Sequence, residues 1–217
     1  ARYIATGRRL QAAFAGRLTV FVGMETETYS GAVAYARELV AAFAPDYLVG
    51  SVHHVADRNF DFSPEAYARA TRAVGGLDAL YVRYFDQQLE MIQALKPAVV
   101  GHFDLVRIYD PDYRARLKRP EIRARIRRNL ACIRDLGLIL DFNVRALVKG
   151  AAEPYIAAPI LQAAQAMGIA LVPGDDSHGV ETVGRHIPRA IAQLQALGVD
   201  TDWPRPVPGA RKSPRIA

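Results

Sequence analysis

Five short runs rich in Val, Leu, Ile and Phe recur along the chain, separated by stretches whose apolar residues fall at three- and four-residue spacing. The strand candidates are residues 18–24, 47–52, 98–103, 138–142 and 169–172. Strands alternating with helices predict a parallel α/β architecture, because parallel neighbours need a crossover helix between them. The helical stretches carry their own start and stop signals. Ser30 is placed to cap a helix reaching Phe43, and Ser63-Pro64-Glu65 opens another. A long helical region over 76–95 stops before Pro97. Pro120 opens a helix that Gly137 ends, and Pro154 is expected to open one that Gly168 ends.

The polar residues fall where such a fold would use them. The candidate strands end in Glu25, His53, His102, Asn143 and the group Asp175-Asp176-Ser177-His178. Loops at the carboxyl ends of parallel strands converge on one rim, which is where these folds bind ligands. Carboxylates, imidazoles and an amide are therefore delivered to one place. Mixed imidazole and carboxylate donors suit Zn, Mn or Fe, and a chain whose only thiol is Cys132 has no thiolate zinc site. Glu25, His53, His102, Asp176 and His178 are the candidate ligands. His53 and His54 are adjacent, and successive strand side chains face opposite ways, so His53 is taken as the ligand. His54 then packs behind the rim or meets substrate. Asp104 and Asp175 are expected to orient other polar groups, with loop capping a second reading for Asp175. For an anionic substrate, Arg107, three residues beyond Asp104, and Arg145 offer planar guanidinium forks, with a solvated surface arginine the other reading for each and Lys149 a third candidate. His186 reads as a surface or structural residue.

At 217 residues the chain suits one domain, 1–202, followed by a basic Pro-rich tail over 203–217. No apolar run is long enough to cross a bilayer and no secretory leader is visible, which with the lone cysteine points to a reducing cytoplasm. The net charge of +6 is carried mostly by arginine, in clusters over 114–128 and 205–215. Such an excess can steer small anions toward a site. No aromatic residues interleave with these arginines as a single-strand stacking platform requires, which argues against nucleic acid. The oligomeric state is not readable.

The strings Gly23-Met24-Glu25-Thr26-Glu27, Gly50-Ser51-Val52-His53-His54-Val55, Val100-Gly101-His102-Phe103-Asp104-Leu105 and Asp175-Asp176-Ser177-His178-Gly179 occur in that order. They resemble the successive strand-end motifs of the polymerase-and-histidinol-phosphatase (PHP) superfamily, and look closest to its histidinol-phosphatase branch. Further matches are Tyr84 to Met91 ahead of Lys96-Pro97, Asn143 with Ala146-Leu147, and Glu153-Pro154-Tyr155. The resemblance covers roughly residues 18–184.

It implies a distorted (β/α)7 barrel with a trinuclear divalent-metal centre at its carboxyl-end rim. Glu25 would be the bridging carboxylate, with His53, His102, Asp176 and His178 as further ligands. The implied activity is hydrolysis of a small phosphate ester, L-histidinol phosphate in histidine biosynthesis, by metal-bound hydroxide with no protein nucleophile. Another small ester or nucleotide is the alternative substrate, and a catalytically inactive PHP scaffold the alternative role. The family opens with a His-x-His strand, whereas no histidine precedes His53 here. The resemblance therefore leads us to expect that the first strand or two are missing from this chain. It would then bind fewer metals, turn over poorly and carry an unpaired sheet edge. Gly174 stands where the family commonly has serine, and Val148 where arginine is common, with Arg145 nearby.

Overall fold

The computed structural model describes residues 1–206, so 207–217 of the expected tail lie outside the described residues. The chain begins with helix α1 (Arg2–Ala13), strand β1 (Gly23–Glu25), helix α2 (Ala32–Phe43) and strand β2 (Tyr47–Gly50). A short hairpin follows, β3 (His54–Val55) and β4 (Arg58–Asn59), then α3 (Pro64–Val74), α4 (Leu77–Leu95) and β5 (Val99–Val100). The second half holds α5 (Tyr113–Arg116), α6 (Pro120–Leu136), β6 (Ile139–Asn143), α7 (Arg145–Val148), α8 (Ala158–Ala166), β7 (Ala170–Gly174) and α9 (Ile187–Ala196). Strands β1, β2, β5, β6 and β7 form one sheet in that order, and every neighbouring pair is parallel.

All five expected strands are present, the first reduced to Gly23–Glu25 and the third to Val99–Val100. The hairpin β3–β4 was not expected. It turns through Ala56 and Asp57, both at positive φ, and Asp57 accepts hydrogen bonds from the Ser30 backbone N–H and hydroxyl, each at 2.6 Å. This bond corrects the sequence reading of Ser30: its hydroxyl is taken by Asp57, and Gly31 in the left-handed region is the N-cap of α2. Ser63 does cap α3, accepting from the Ala66 N–H, with Pro64 at the first helical position. Gly137 ends α6 in the left-handed conformation that glycine adopts without steric cost. The helix expected from Pro154 starts instead at Ala158, with Pro159 in its first turn. Tyr155 makes an antiparallel bridge to Asn143, and that extended pairing displaces the helix start.

One face of the sheet packs on the helices. Val100, Leu140, Phe142 and Leu171 lie in a core with Tyr84, Phe85, Met91 and Ile92 of α4 and Leu130 and Ile133 of α6. Each large side chain so buried contributes about 1.5–3 kcal/mol. The polar ends of this core have a specific job. Tyr67 donates to the Val106 carbonyl at 2.8 Å, Tyr81 to Asp110 at 2.9 Å and Tyr84 to the Phe103 carbonyl at 3.1 Å. Gln88 Nε2 donates to the same Phe103 carbonyl at 2.9 Å, and Asn129 Nδ2 of α6 donates to Gln88 Oε1 at 3.0 Å. Helices α3, α4 and α6 thus pin the loop that leaves β5.

Replacing Gln88 by Leu takes one of two acceptors from the Asn129 amide, which keeps the Phe85 carbonyl, and leaves the Phe103 carbonyl with Tyr84 alone. The expected loss is about 1–3 kcal/mol of unfolding free energy, read in urea denaturation. An unchanged midpoint and slope would show that the bridge carries no net stability.

Asp46, just before β2, accepts from the Val22 N–H and Gln11 Nε2, both at 2.7 Å, and from Arg8 at 2.6 Å, tying α1 to the approach to β1. Burial would raise the Asp46 carboxyl, but these bonds and the Arg8 charge outweigh it and hold it below its ordinary value. A folded pKa below the unfolded one means the stabilisation is present above about pH 4 and lost as pH falls through the folded value. Asp46→Asn should therefore melt below the parent at pH 7, with the gap closing toward pH 3. A gap that persists undiminished at pH 3 would refute the assignment.

Candidate metal centre

Glu25 ends β1, His53 follows β2 by three residues and His102 follows β5 by two, so adjacent parallel strands carry the three side chains to one rim. His102 Nε2 lies 3.1 Å from Glu25 Oε1 and 3.2 Å from His53 Nε2, and His53 Nε2 lies 3.6 Å from Glu25 Oε1. Three donors around one tetrahedral ion, bonded at about 2.0–2.1 Å, stand about 3.3–3.4 Å apart. The triangle has those dimensions and the nitrogen and oxygen donors that suit a divalent cation, so the residues fit a metal. His102 is buried, His53 half-buried, and the Glu25 side chain is 45% exposed, which leaves the centre open to solvent on one side.

The electrostatics follow from this packing. Burial would raise the Glu25 carboxyl, but the hydrogen bond and charge of His102, with His53 behind, bring it down to about 2. Burial would likewise depress the His53 imidazole, and is outweighed by the hydrogen bond and charge of Glu27 and the charge of Glu25, which raise it. The same two imidazoles, His53 and His54, hold the Glu27 carboxyl below its ordinary value against its own desolvation.

A cleft of about 670 Å³ opens beside the triangle. Glu25 and His102 line it together with Asp141, Asn143, Asp175 and Asp176, over an apolar floor that includes Val49, Val99 and Ile139. Asn143 Nδ2 donates to Asp141 at 2.8 Å and reaches Asp176 at 3.5 Å, while its Oδ1 accepts from the Arg145 N–H. Burial, reinforced by the charge of Asp176, raises the Asp141 carboxyl to about 6 against the hydrogen bond from Asn143. A Cβ at Gly174 would overlap Asp141 Oδ1, so glycine at that position is what makes room for the carboxylate.

The remaining candidates divide. Asp176 lines the cleft outside the Glu25–His53–His102 triangle. The His178 side chain is 65% exposed, its Nδ1 turns to the Asp176 carbonyl at 2.8 Å, and it is not one of the triangle's donors. His54 lies outside the triangle, edge-on to Tyr29, with Nδ1 on Glu27 at 3.1 Å. Asp175 closes its own loop, accepting from the Ser177 hydroxyl and the Gly184 N–H. Asp104 is fully buried, and the group it orients is Arg107, at 3.0 Å, together with the Ala157 N–H.

Arg107 itself is a correction to the sequence reading. It is 5% exposed, sits between the Tyr113 and Tyr155 rings, and donates to the Glu153 and Pro154 carbonyls, so its guanidinium braces the 153–157 segment and does not line the cleft. Arg145 is half-buried with Nε lacking a protein partner, Lys149 is exposed at the end of α7, and neither lines the cleft. Sequence reasoning passed over Glu27 and Asp141. Each lies two residues from an assigned neighbour, Glu25 or Asn143, and that period-two spacing was the available signal.

A family model described as PHP domain matches residues 2–145. A protein named probable histidinol-phosphatase from Schizosaccharomyces pombe is 33% identical over 201 residues, 91% of this chain and 66% of its own length. A protein of the same name from Deinococcus radiodurans is 31% identical over 200 residues, 90% of this chain and 72% of its own. The histidinol-phosphatase of Saccharomyces cerevisiae is 31% identical over 194 residues, 77% of this chain and 58% of its own. The chain thus spans roughly two thirds of the length of these curated relatives. The crystal structure of histidinol phosphate phosphatase from Lactococcus lactis, complexed with zinc, L-histidinol and phosphate, superposes with a TM-score of 0.67. It covers 92% of this chain and 74% of the other at 18% identity, a likeness of fold.

If the triangle holds a cation, Zn²⁺ at about 100 times its Kd stabilises the fold by about 2.7 kcal/mol, visible as a rise in melting temperature. Glu25→Gln and His53→Ala should each abolish that rise. Melting curves of both variants that still climb with Zn²⁺ as the parent's do would exclude this triangle.

Proposed function

The chain belongs to the PHP-domain family, and on that premise we propose that it is a metal-dependent phosphomonoester hydrolase acting on L-histidinol phosphate. The products are L-histidinol and inorganic phosphate. The observation that carries the reading is the triangle of Glu25, His53 and His102, with donor separations matched to a divalent cation, in a chain whose curated relatives are named histidinol-phosphatase. The wider frame of the proposal is a (β/α)7 barrel, a single domain over 1–202 with a basic tail, and a centre of up to three ions. Asp176, beside the triangle in the cleft, is the next ligand outward, with His178 beyond it on a loop that would have to turn inward.

Bound divalent ions supply Lewis acidity, lowering the pKa of water and screening phosphoryl oxygens during in-line displacement. The chain's own groups do the rest. Glu25, His53 and His102 hold the cation. His54, with Nδ1 turned to Glu27, keeps Nε2 for substrate. Arg145 follows the cleft residue Asn143 and has an unpartnered Nε; it is the guanidinium assigned to phosphate, and it would have to turn into the cleft to reach it. The apolar cleft floor accommodates the organic half of the ester and keeps bulk water from it.

Steady-state hydrolysis tests the reading directly. L-Histidinol phosphate should exceed p-nitrophenyl phosphate and nucleoside monophosphates in kcat/KM by about 100-fold, about 2.7 kcal/mol of transition-state discrimination, and chelation should abolish turnover. Equal kcat/KM across the panel would remove the histidinol assignment. Turnover that survives chelation would remove the metal.

A further inference from the structure

The residues that leave β1 read Glu25-Thr26-Glu27-Thr28, and the structure alternates them: both threonines are buried and both glutamates exposed. The backbone is fixed on each side of Glu27. The Thr26 N–H donates to the Val49 carbonyl at 2.9 Å, and the Thr28 hydroxyl donates to the His54 carbonyl at 3.2 Å. An extended segment with its even residues buried turns its odd residues to the same side, so Glu25 and Glu27 face one centre together. A single oxygen, Glu27 Oε2, lies 3.1 Å from His53 Nδ1 and 3.1 Å from His54 Nδ1. A carboxylate only accepts, so both Nδ1 atoms are the donors. In the neutral imidazole this leaves the lone pair of His53 on Nε2, the atom that faces Glu25 and His102. The other end of His53 is tied as well, since its carbonyl accepts from the Phe60 N–H at 3.1 Å, beyond the β3–β4 hairpin.

We propose that Glu27 is the positioning residue of this centre: it fixes the His53 tautomer and ring orientation so that Nε2 is presented to the cation, and through His54 it locks the β3–β4 hairpin to the same point. The proposal rests on the metal-holding reading of Glu25, His53 and His102. Glu27 acts through His53 and is not itself one of the triangle's donors. Its side chain is 45% exposed, so removing it uncovers no core and should leave the metal-free fold intact. This separates positioning from a structural role.

The test uses the chain as it stands, with Co²⁺ titrated by its visible absorption and Zn²⁺ by competition with a chelating dye. Glu27→Ala should weaken binding of both ions about 10–100-fold, the usual cost of losing a carboxylate behind a ligating histidine, with an unchanged metal-free melting temperature. Glu27→Gln, whose amide oxygen still accepts from Nδ1–H, should recover most of that loss, and Glu90→Ala on the exposed side of α4 should match the parent. In the metal-free protein, long-range ¹H–¹⁵N spectra should show His53 protonated on Nδ1 in the parent and redistributed between tautomers in Glu27→Ala. Parent-like affinity in Glu27→Ala, or a His53 tautomer that does not respond, overturns the proposal. If Glu25→Gln and His53→Ala also keep parent-like affinity, or the parent fails to bind Co²⁺, the metal reading falls with it. If those two variants lose the ion while Glu27→Ala keeps it, the positioning role alone is wrong.

Discussion

The loop that leaves β5 is the constraint on which the site depends. It carries His102 at positive φ, a backbone conformation uncommon outside glycine, and a turn of that kind persists only where its surroundings fix it. The fixing is done by buried donors on helices: Tyr84 and Gln88 on the Phe103 carbonyl, Tyr67 on Val106, and Tyr81 on Asp110. The apolar bodies of these tyrosines fill the core, and their hydroxyls reach its polar edge. Hydrophobic packing and site geometry are therefore the same set of side chains. Asn129 extends the bridge to α6, so the position of His102 is referred to two packed helices as well as to its own strand.

The strands were legible because parallel strands covered by helices read as short apolar runs, and Val99–Val100 and Ile139–Asn143 fall inside the runs that announced them. Caps whose chemistry is local were legible too, Ser63 before Pro64 and Gly137 after Leu136. What escaped the sequence rests on partners far along the chain. Ser30 looks like a cap until Asp57, 27 residues on, takes its hydroxyl. Pro154 looks like a helix start until Tyr155 pairs with Asn143.

The site divides in the same way. Glu25, His53 and His102 stand out because each follows a strand and belongs to a metal-binding residue type, two facts readable in one dimension. Arg107 had the same credentials as Arg145, and only the rings of Tyr113 and Tyr155 around it reveal a brace. Glu27 lay within a quoted motif, yet its meaning depends on two imidazoles sharing one oxygen, a relation no spacing rule expresses. Asp141 is intelligible only beside Gly174, whose missing Cβ gives the carboxylate its place.

Charge imposes an order on these parts. The chain carries +6, yet four carboxylates, Glu25, Asp141, Asp175 and Asp176, line the cleft beside His102 and Arg205. Surface arginines act over about a Debye length, some 8 Å at physiological ionic strength, and can guide an anion toward the molecule. Inside the cleft the nearer carboxylates dominate, and a phosphate ester would meet repulsion there. The Glu25 carboxyl, at about 2, stays ionised throughout the neutral range, so protonation does not relieve that repulsion. Cations held by the triangle and its neighbours would reverse the local sign. On the proposed reading, metal loading is thus a condition for substrate binding as well as for chemistry. On that reading the acidic cleft within a basic protein has a physical sense: the carboxylates would recruit the cations, and the arginines outside would recruit the ester those cations could hold.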